Sequence, residues 1–203
     1  MLNIILVIGY LLGSISTGVV ISKALSKTDI RTHGSGNAGT TNMLRVLGRK
    51  AALLTFIGDM LKGIIAVFIG KWLVGGELGG LLGVVGAVLG HYYPLYFGFK
   101  GGKGIATSFG SLLFVFPVQA LLAFTVFLIL VGITHYVSVG SVAAAIVLPL
   151  LVVFTRFAQP QLWIITACIG ASVVWRHRAN IQRLMNHTES KLDFSKLKGS
   201  KKV

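Results

Sequence analysis

The stretch AALLTFIGDMLKGIIAVFIGKWLV, residues 51–74, decides the fold class of this chain. It is long and apolar enough to cross a bilayer as a helix, which takes about 20 residues. Similar apolar runs lie on both sides of it, at 2–22, 78–97, 105–117, 118–134, 137–154 and 160–176. We therefore predict an all-α, polytopic membrane helix bundle with about seven transmembrane helices. Five is the alternative, because a helix over 105–117 reaches only roughly 20 Å at 1.5 Å per residue.

The composition supports a single membrane-embedded domain over residues 1–203. Of the 203 residues, 54% are hydrophobic and 12% are charged, whereas a soluble domain averages about 25% charged residues. The last part, 186–203, is a basic tail that we expect to be flexible. The five His and five acidic residues are scattered singly, so we expect no metal site and no cofactor. The lone Cys168 excludes an intramolecular disulfide.

The cations predict which side of the membrane each loop faces. The net charge is +14, which in a soluble protein suggests nucleic acid. Here the Lys and Arg residues flank apolar spans, which favours lipid head groups, so we expect a bilayer and no nucleic acid as partners. Seven spans put the loops at 26–50, 98–104 and 135–138, and the tail from 176, on one face. The positive-inside rule makes that face cytoplasmic and the N-terminus external. The oligomeric state is left open.

The first polar segment, HGSGNAGTTN at 33–42, lies in the first of these loops. Backbone N–H groups around two glycines can form an anion nest, and hydroxyl and amide side chains add neutral donors. A guanidinium four residues after Thr41 can hold a phosphate through two bonds. The candidate residues are Gly34, Ser35, Gly36, Asn37, Thr40, Thr41, Asn42 and Arg45. The alternative is a glycine-rich turn that caps a helix.

The second segment, GFKGGKG at 98–104, runs directly into an apolar helix. It is not a Walker A loop, because Gly104 stands where Ser or Thr is required after the Gly-Lys pair. The free N–H groups at a helix N-terminus nevertheless favour an anion. The candidate residues are Gly101, Gly102, Lys103, Gly104, Thr107 and Ser108. The alternative is an ordinary basic loop.

The third segment, RHRAN at 176–180, ends the last apolar run. Helical spacing places His177 and Asn180 on one face, and the histidine is a candidate base or phosphate donor. For the arginines we favour anchoring at the head groups. Ser141, in the last connection of the same face, is a further candidate. Asp59 and Lys62, three residues apart inside the second span, are expected to form an ion pair.

Taken together, these segments resemble the signature motifs of the bacterial acyl-phosphate:glycerol-3-phosphate acyltransferases. The matching stretches are GSGNAGTTNMLRVLG at 34–48, GHYYPLYFGFKGGKGIATS at 90–108 and RHRANIQRL at 176–184, with GSIS at 13–16 and GDMLKG at 58–63. One departure is NHTES at 186–190, where the family commonly reads NGTEP. The resemblance implies that the 1-hydroxyl of sn-glycerol 3-phosphate attacks an acyl phosphate, giving lysophosphatidic acid and inorganic phosphate at the cytoplasmic face of a bacterial plasma membrane. This reaction begins phospholipid synthesis.

From the residues and the resemblance we assign catalytic roles to Ser35, Arg45, Lys103, His177 and Asn180. One phosphate is expected at the first segment and one at the second, in either order, with His177 and Asn180 orienting glycerol phosphate. The base is His177 or an oxygen of the acyl phosphate itself, and we favour the latter, because the motifs are rich in donors. The rival hypothesis is a small phosphate or organic-anion transporter. A purely structural membrane subunit leaves the three polar motifs unexplained.

Overall fold

The computed structural model describes residues 1–192, which form nine α-helices and two short 3-10 turns. The 3-10 turns cover Ile30–Thr32 and Leu95–Phe97. The helices are α1 Leu2–Gly13, α2 Thr17–Ser26, α3 Thr40–Val74, α4 Gly76–Tyr92, α5 Ile105–Val115, α6 Pro117–Thr134, α7 Val137–Thr155, α8 Pro160–Arg176 and α9 Arg178–Met185.

The predicted all-helical membrane class is confirmed, with five segments long and apolar enough to cross a bilayer. These are Leu2–Ser26, Thr40–Val74, Gly76–Phe97, Pro117–Thr134 and Val137–Thr155. By length and composition alone the number is therefore five, the alternative given above. The two remaining predicted spans are short helices, because α5 has 11 residues and α8 has 17. At 1.5 Å per residue α5 is about 17 Å long, well under the roughly 30 Å hydrocarbon core.

Although α5 and α8 are short, every pass of the chain connects the same two ends of the bundle. At one end, which we call the loop end, the segments 27–39, 93–104, 135–136 and 177–192 meet. Arg45 there donates to the Ser190 carbonyl at 3.1 Å. At the opposite end Arg156 pairs with Glu77 at 2.7 Å. The loop end thus carries all three polar motifs, together with residues 186–192 of the basic tail; residues 193–203 lie outside the described chain.

Glycines allow a close helix contact between α1 and α4. A Cβ on Gly86 would lie 3.0 Å from the Cα of Gly9, and one on Gly90 would collide with backbone atoms of Tyr10 and Ser14. Membrane helices use small residues in this way, because association in lipid depends on close packing. The main apolar core continues from this pair into the helices that follow, through Val67, Leu81, Val84, Val88, Leu112, Phe116, Leu148 and Val152.

The ion pair expected between Asp59 and Lys62 is present and fully buried. Lys62 Nζ lies 2.8 Å from Asp59 Oδ1. It also lies 2.9 Å from the Ile15 carbonyl and 2.9 Å from His91 Nδ1. All three ammonium protons therefore have an acceptor, as a charge inside a membrane protein requires. The Ile15 carbonyl is free to accept because the chain breaks between α1 and α2.

Candidate active site

The three polar motifs meet around one polar cavity of about 900 Å³ at the loop end. The predicted residues among those lining it are Ser35, Asn37, Thr40, Thr41, Asn42, Arg45, Lys103, Gly104, Ser141, His177 and Asn180. The cavity also includes polar residues that the sequence did not single out as site residues, namely Asp59, His91, Ser138 and Glu189. The structure thus brings together groups that are far apart in the chain.

Three helices begin at this cavity. The first residues of α3, α5 and α7 all belong to its lining, as Thr40, Ile105 and Val137. The first N–H groups of a helix have no acceptor within the helix, and they carry the positive end of its dipole. Together with Arg45 and Lys103, these helix ends make the cavity suited to bind more than one anionic group.

Asn42 organises the first motif from within. Its Nδ2 donates to the carbonyls of Ile30, His33 and Asn37 at 3.2, 3.0 and 2.9 Å. Its Oδ1 accepts from the backbone N–H of Ser35 at 2.8 Å. The Asn42 side chain lines the cavity, but its amide group is already engaged in these hydrogen bonds within the loop. Asn42 therefore shapes the loop, and its expected contact with substrate stays a prediction.

The glycines of the first motif act through backbone conformation. Gly34 and Gly36 have φ of 60° and 71°, a region that favours glycine, and neither is among the cavity-lining residues. The N–H of Gly36 bonds the His33 carbonyl at 3.1 Å. This N–H group is thus used within the loop, and α3 begins after Gly39 without a side-chain cap among the described residues. Anion binding by this loop stays a prediction. The cavity receives side chains instead, including Thr40, whose buried hydroxyl has no partner within residues 1–192.

The second motif also uses its glycine N–H groups internally. Gly101 and Gly102 donate to the carbonyls of Tyr92 and His91 at 3.2 and 3.1 Å. Neither glycine lines the cavity. Both pack so closely that a Cβ on either would collide with His91. The two glycines thus serve tight packing, and the phosphate contact expected of them stays a prediction. From this motif Lys103 and Gly104 line the cavity, followed by the first residues of α5.

Thr107 and Ser108, also expected at a phosphate, lie away from the polar lining. Thr107 is fully buried, with its hydroxyl 3.4 Å from His91 Nδ1. Ser108 lines a second, apolar cavity, and its buried hydroxyl has no partner in the described part of the chain. Thr107 comes two residues after Ile105 and therefore lies on the opposite side of α5. Ser108 comes three residues after Ile105 and shares with it the face towards the apolar cavity. The expected contact of both residues with phosphate stays a prediction.

Lys103 and Asn180 join the second motif to the third. Lys103 Nζ donates to Asn180 Oδ1, and Asn180 Nδ2 donates to Glu189 Oε1 at 2.7 Å. Burial lowers the pKa of Lys103 to about 8, although the charge of Glu189 opposes the shift. The nearby guanidinium groups of Arg183, Arg45 and Arg176 lower this pKa as well.

Glu189, within the NHTES stretch quoted above, lines the cavity although it was not among the candidate site residues. Besides Asn180, it accepts from Ser138 at 3.0 Å and from Arg183 at 2.7 Å. Burial raises the pKa of its carboxyl, but these hydrogen bonds outweigh burial and hold the pKa below its usual range. Glu189 therefore remains an anion that ties α7, α9 and the following segment together. The available signal was an isolated acid in an otherwise basic stretch.

His177 is buried beside Lys103 and is a weak base. Burial, followed by the charge of Lys103, lowers its pKa to about 4. Its Nδ1 lies 2.8 Å from the Val173 carbonyl, and since a carbonyl only accepts, Nδ1 carries the proton. Nε2 is then an acceptor. His177 is thus neutral near pH 7 and suited to receive a hydrogen bond from a hydroxyl.

An apolar cavity of about 690 Å³ adjoins the polar one, between α5, α6, α7 and α8. Phe56, Ile105, Phe127 and Ser141 line both cavities, so the two are direct neighbours. The remaining apolar lining includes Phe109, Leu112, Ala123, Phe124, Ala144, Ala145, Leu148, Ile169 and Val173. Within residues 1–192 no group of three or more metal-ligating side chains is present.

Comparison with known proteins gives consistent matches over nearly the whole chain. A family model described as glycerol-3-phosphate acyltransferase matches residues 3–187. A glycerol-3-phosphate acyltransferase of Clostridioides difficile is 46% identical and covers 95% of this chain and 96% of its own length. One from Syntrophotalea carbinolica is 47% identical, over 93% of this chain and 96% of its own.

A solved structure has the same fold. It is the crystal structure of PlsY, an integral membrane glycerol 3-phosphate acyltransferase, in its glycerol 3-phosphate form. The TM-score is 0.88 at 37% identity, covering 98% of this chain and 99% of that one. A second structure of PlsY, in its lysophosphatidic acid form, matches with a TM-score of 0.82 at 37% identity, over 97% of each chain.

Proposed function

The chain belongs to the glycerol-3-phosphate acyltransferase family, and we propose that its acyl donor is an acyl phosphate. It is an integral membrane enzyme that produces lysophosphatidic acid. In the proposed reaction a fatty acyl group moves from acyl phosphate to the 1-hydroxyl of sn-glycerol 3-phosphate, and inorganic phosphate leaves. The acceptor is supported by the glycerol 3-phosphate bound in the homologous structure.

The observation that carries this proposal is that a polar and an apolar cavity lie side by side and share lining residues. An acyl phosphate has a phosphate at one end and a hydrocarbon chain at the other. The polar cavity offers cations and three helix N-termini, which suit the phosphate. The apolar cavity shares Ile105 and Ser141 with it and would shield the hydrocarbon chain from water. The carbonyl that reacts would then lie where the two cavities meet.

The chemistry follows from the charges around that junction. The glycerol 1-hydroxyl attacks the carbonyl carbon, a carbon–oxygen bond forms, and the bond from that carbon to the phosphate oxygen breaks. Arg45, Lys103 and the helix N-termini stabilise the charge that develops on the leaving phosphate. His177 Nε2 and Asn180 hold the glycerol moiety, and much of the acceleration comes from positioning.

The proton of the 1-hydroxyl goes to the departing phosphate. A histidine with a pKa of about 4 is poorly matched to accept that proton near pH 7. A phosphate oxygen of the donor is close to the hydroxyl throughout the reaction and gains negative charge as the bond breaks. The low pKa of His177 therefore supports substrate-assisted proton transfer, with the histidine as an orienting acceptor.

We further propose that the loop end faces the cytoplasm of a bacterial plasma membrane, with the N-terminus outside. The cations of the loop end, among them Lys23, Lys27, Arg31, Arg49, Lys50, Lys100 and Arg183, support this orientation through the positive-inside rule. Glycerol 3-phosphate would then enter from the cytosol, and the lipid product would leave into the bilayer.

The test is purified protein with labelled glycerol 3-phosphate and either palmitoyl phosphate or palmitoyl-CoA. We expect lysophosphatidic acid from the acyl phosphate alone and almost none in Lys103→Ala. Lys71→Ala is the matched control, because Lys71 lies at the opposite end and bonds the Phe114 carbonyl. Product from palmitoyl-CoA alone would overturn the proposed donor.

A further inference from the structure

Arg176 contacts the backbone of the second motif directly before Lys103. Its Nη2 donates to the Gly102 carbonyl at 2.8 Å and its Nε to the same oxygen at 3.2 Å. Nη2 also reaches the Gly101 carbonyl at 3.4 Å. A head-group anchor would extend its guanidinium towards lipid, whereas this one is half-buried and bonded to protein carbonyls.

Aromatic rings fix the same guanidinium from its other faces. Its central carbon lies 5.2 Å from the ring centre of Tyr92 and 5.6 Å from that of Tyr93, within the range of cation–π attraction. Tyr92 is itself held, because its hydroxyl lies 3.0 Å from Ser172 Oγ, one turn before Arg176. The arginine is therefore oriented by packing as well as by hydrogen bonds.

The opposite side of the loop is equally constrained. The N–H groups of Gly101 and Gly102 bond the carbonyls that end α4, so the two glycines lie between α4 and the guanidinium. The next residue is Lys103, whose ammonium bonds Asn180, four residues after Arg176. One short segment, 176–180, thus holds both the backbone that leads into Lys103 and the end of its side chain.

We propose that Arg176 is a positioning residue, which sets the place of the Lys103 ammonium in the cavity through the carbonyls of Gly101 and Gly102. This inference rests on the proposed role of Lys103 as a phosphate-binding group. Its effect on the reaction is indirect, because Arg176 is not among the cavity-lining residues. A displacement of about 1 Å in a catalytic group is sufficient to lower a rate about 100-fold.

The first experiment compares Arg176→Gln with Arg178→Gln. Arg178 is an exposed neighbour that stacks on Trp175 at 5.0 Å and has no contact with the loop in the described chain. We expect Arg176→Gln to lower kcat/KM for glycerol 3-phosphate with palmitoyl phosphate about 10- to 100-fold, and Arg178→Gln to change it less than twofold. Arg176→Lys keeps the cation near the rings but loses the planar fork, so an intermediate value is expected. Equal values in Arg176→Gln and Arg178→Gln would overturn the proposal.

The second experiment asks whether Arg176 acts through Lys103. The measurement is the double-mutant cycle of Arg176→Gln and Lys103→Gln, in long incubations with labelled glycerol 3-phosphate. We expect little further loss when Arg176→Gln is added to Lys103→Gln, because residues that act as one unit are non-additive. Multiplied losses would show an independent role and reject the inference, whereas a Lys103→Gln enzyme of normal activity would reject the proposed role of Lys103 instead.

A third readout does not depend on activity. Hydrogen exchange of the amides in 98–104 is expected to accelerate in Arg176→Gln and Arg176→Lys and to stay unchanged in Arg178→Gln. Slow amide exchange elsewhere in the bundle shows that a variant is folded. If Arg176→Gln does not fold, the comparison is made with Arg176→Lys. Unchanged exchange in this loop, in folded protein, would contradict the positioning role.

Discussion

At the scale of single residues, burial sets the protonation states of Lys103 and His177. The same desolvation weakens histidine as a base and brings the ammonium close to titration near neutral pH. Because the two side chains lie side by side, the charge of Lys103 also opposes protonation of His177. At this position the cavity therefore holds one cation, Lys103, and one neutral hydrogen-bond acceptor, His177 Nε2.

The pKa of Lys103 predicts an alkaline limit to activity. The residue is charged below about pH 8 and neutral above, so kcat/KM is expected to fall as pH rises through about 8. Lys103→Arg keeps its charge, because a guanidinium stays protonated in proteins, and its profile is expected to stay flat up to about pH 10. The measurement is kcat/KM for glycerol 3-phosphate from pH 6 to 10. An unchanged alkaline limb in Lys103→Arg would assign the limb to another group.

The sequence indicated where the polar residues lie but not what each one contacts. The motifs could be placed at one end because apolar runs between them set the alternation of the chain. The role of Asn42 was hidden, because its partners are carbonyls whose positions depend on the folded loop. Glu189 was missed for a similar reason, since Ser138 becomes its neighbour only through tertiary packing.

At the scale of elements, hydropathy predicted the helices well and their lengths less well. The run at 105–117 became α5 and the first residue of α6, because Pro117 has no N–H and fits the start of a helix. The break between α1 and α2 inside the first apolar run was not predicted. Lys62 from α3 fills that break by bonding the Ile15 carbonyl.

The α1–α4 contact predicts a strong effect of one methyl group. In Gly90→Ala the new Cβ collides with backbone atoms of α1, and overpacking of this kind costs about 1–3 kcal/mol. Each kcal/mol lowers Tm by about 2–4 °C in a chain of this size. Gly132→Ala is the control, because nothing lies within 4 Å of its Cβ position. Thermal unfolding in detergent measures both, and equal Tm values would refute close packing at Gly90.

The apolar cavity predicts a change in acyl-chain preference. Ala144 lines this cavity on α7, and a leucine there would occupy space proposed for the chain. We expect Ala144→Leu to lower the ratio of kcat/KM for palmitoyl phosphate to that for octanoyl phosphate at least about 10-fold, since apolar pockets discriminate by about 1–3 kcal/mol per group. Ala143→Leu is the control, because Ala143 does not line the cavity. Equal losses of kcat/KM with both donors would show that the acyl chain lies outside this cavity.

At the scale of the whole molecule, the alternation of the chain explains the concentration of positive potential at one end. Helices α3, α5 and α7 begin at the loop end, so their dipoles add at the cavity. At the other end Lys71 bonds the Phe114 carbonyl, near the end of α5, and Arg156 lies next to the end of α7. The cations there thus complement helix C-termini.

The segment after α9 predicts the effect of truncation. A chain that ends at Met185 loses Glu189 and the Ser190 carbonyl, and with them the contacts to Asn180, Ser138 and Arg45. We expect this shortened chain still to insert into membranes, but with kcat/KM lowered at least about 100-fold. A chain that ends at Leu192 keeps all these contacts and is the control. Normal turnover in the shorter chain would contradict a role for this segment.

The distance along the chain between cavity partners also has a consequence for biosynthesis. Arg45 and Ser190, which bond each other, are 145 positions apart. At roughly 5–20 residues per second, a ribosome needs on the order of 7–30 s to synthesise the interval. During that time the nascent protein holds most of its helices but lacks the groups that close the cavity. We therefore expect an unfinished chain in the membrane to be inactive until Glu189 and Ser190 have been added.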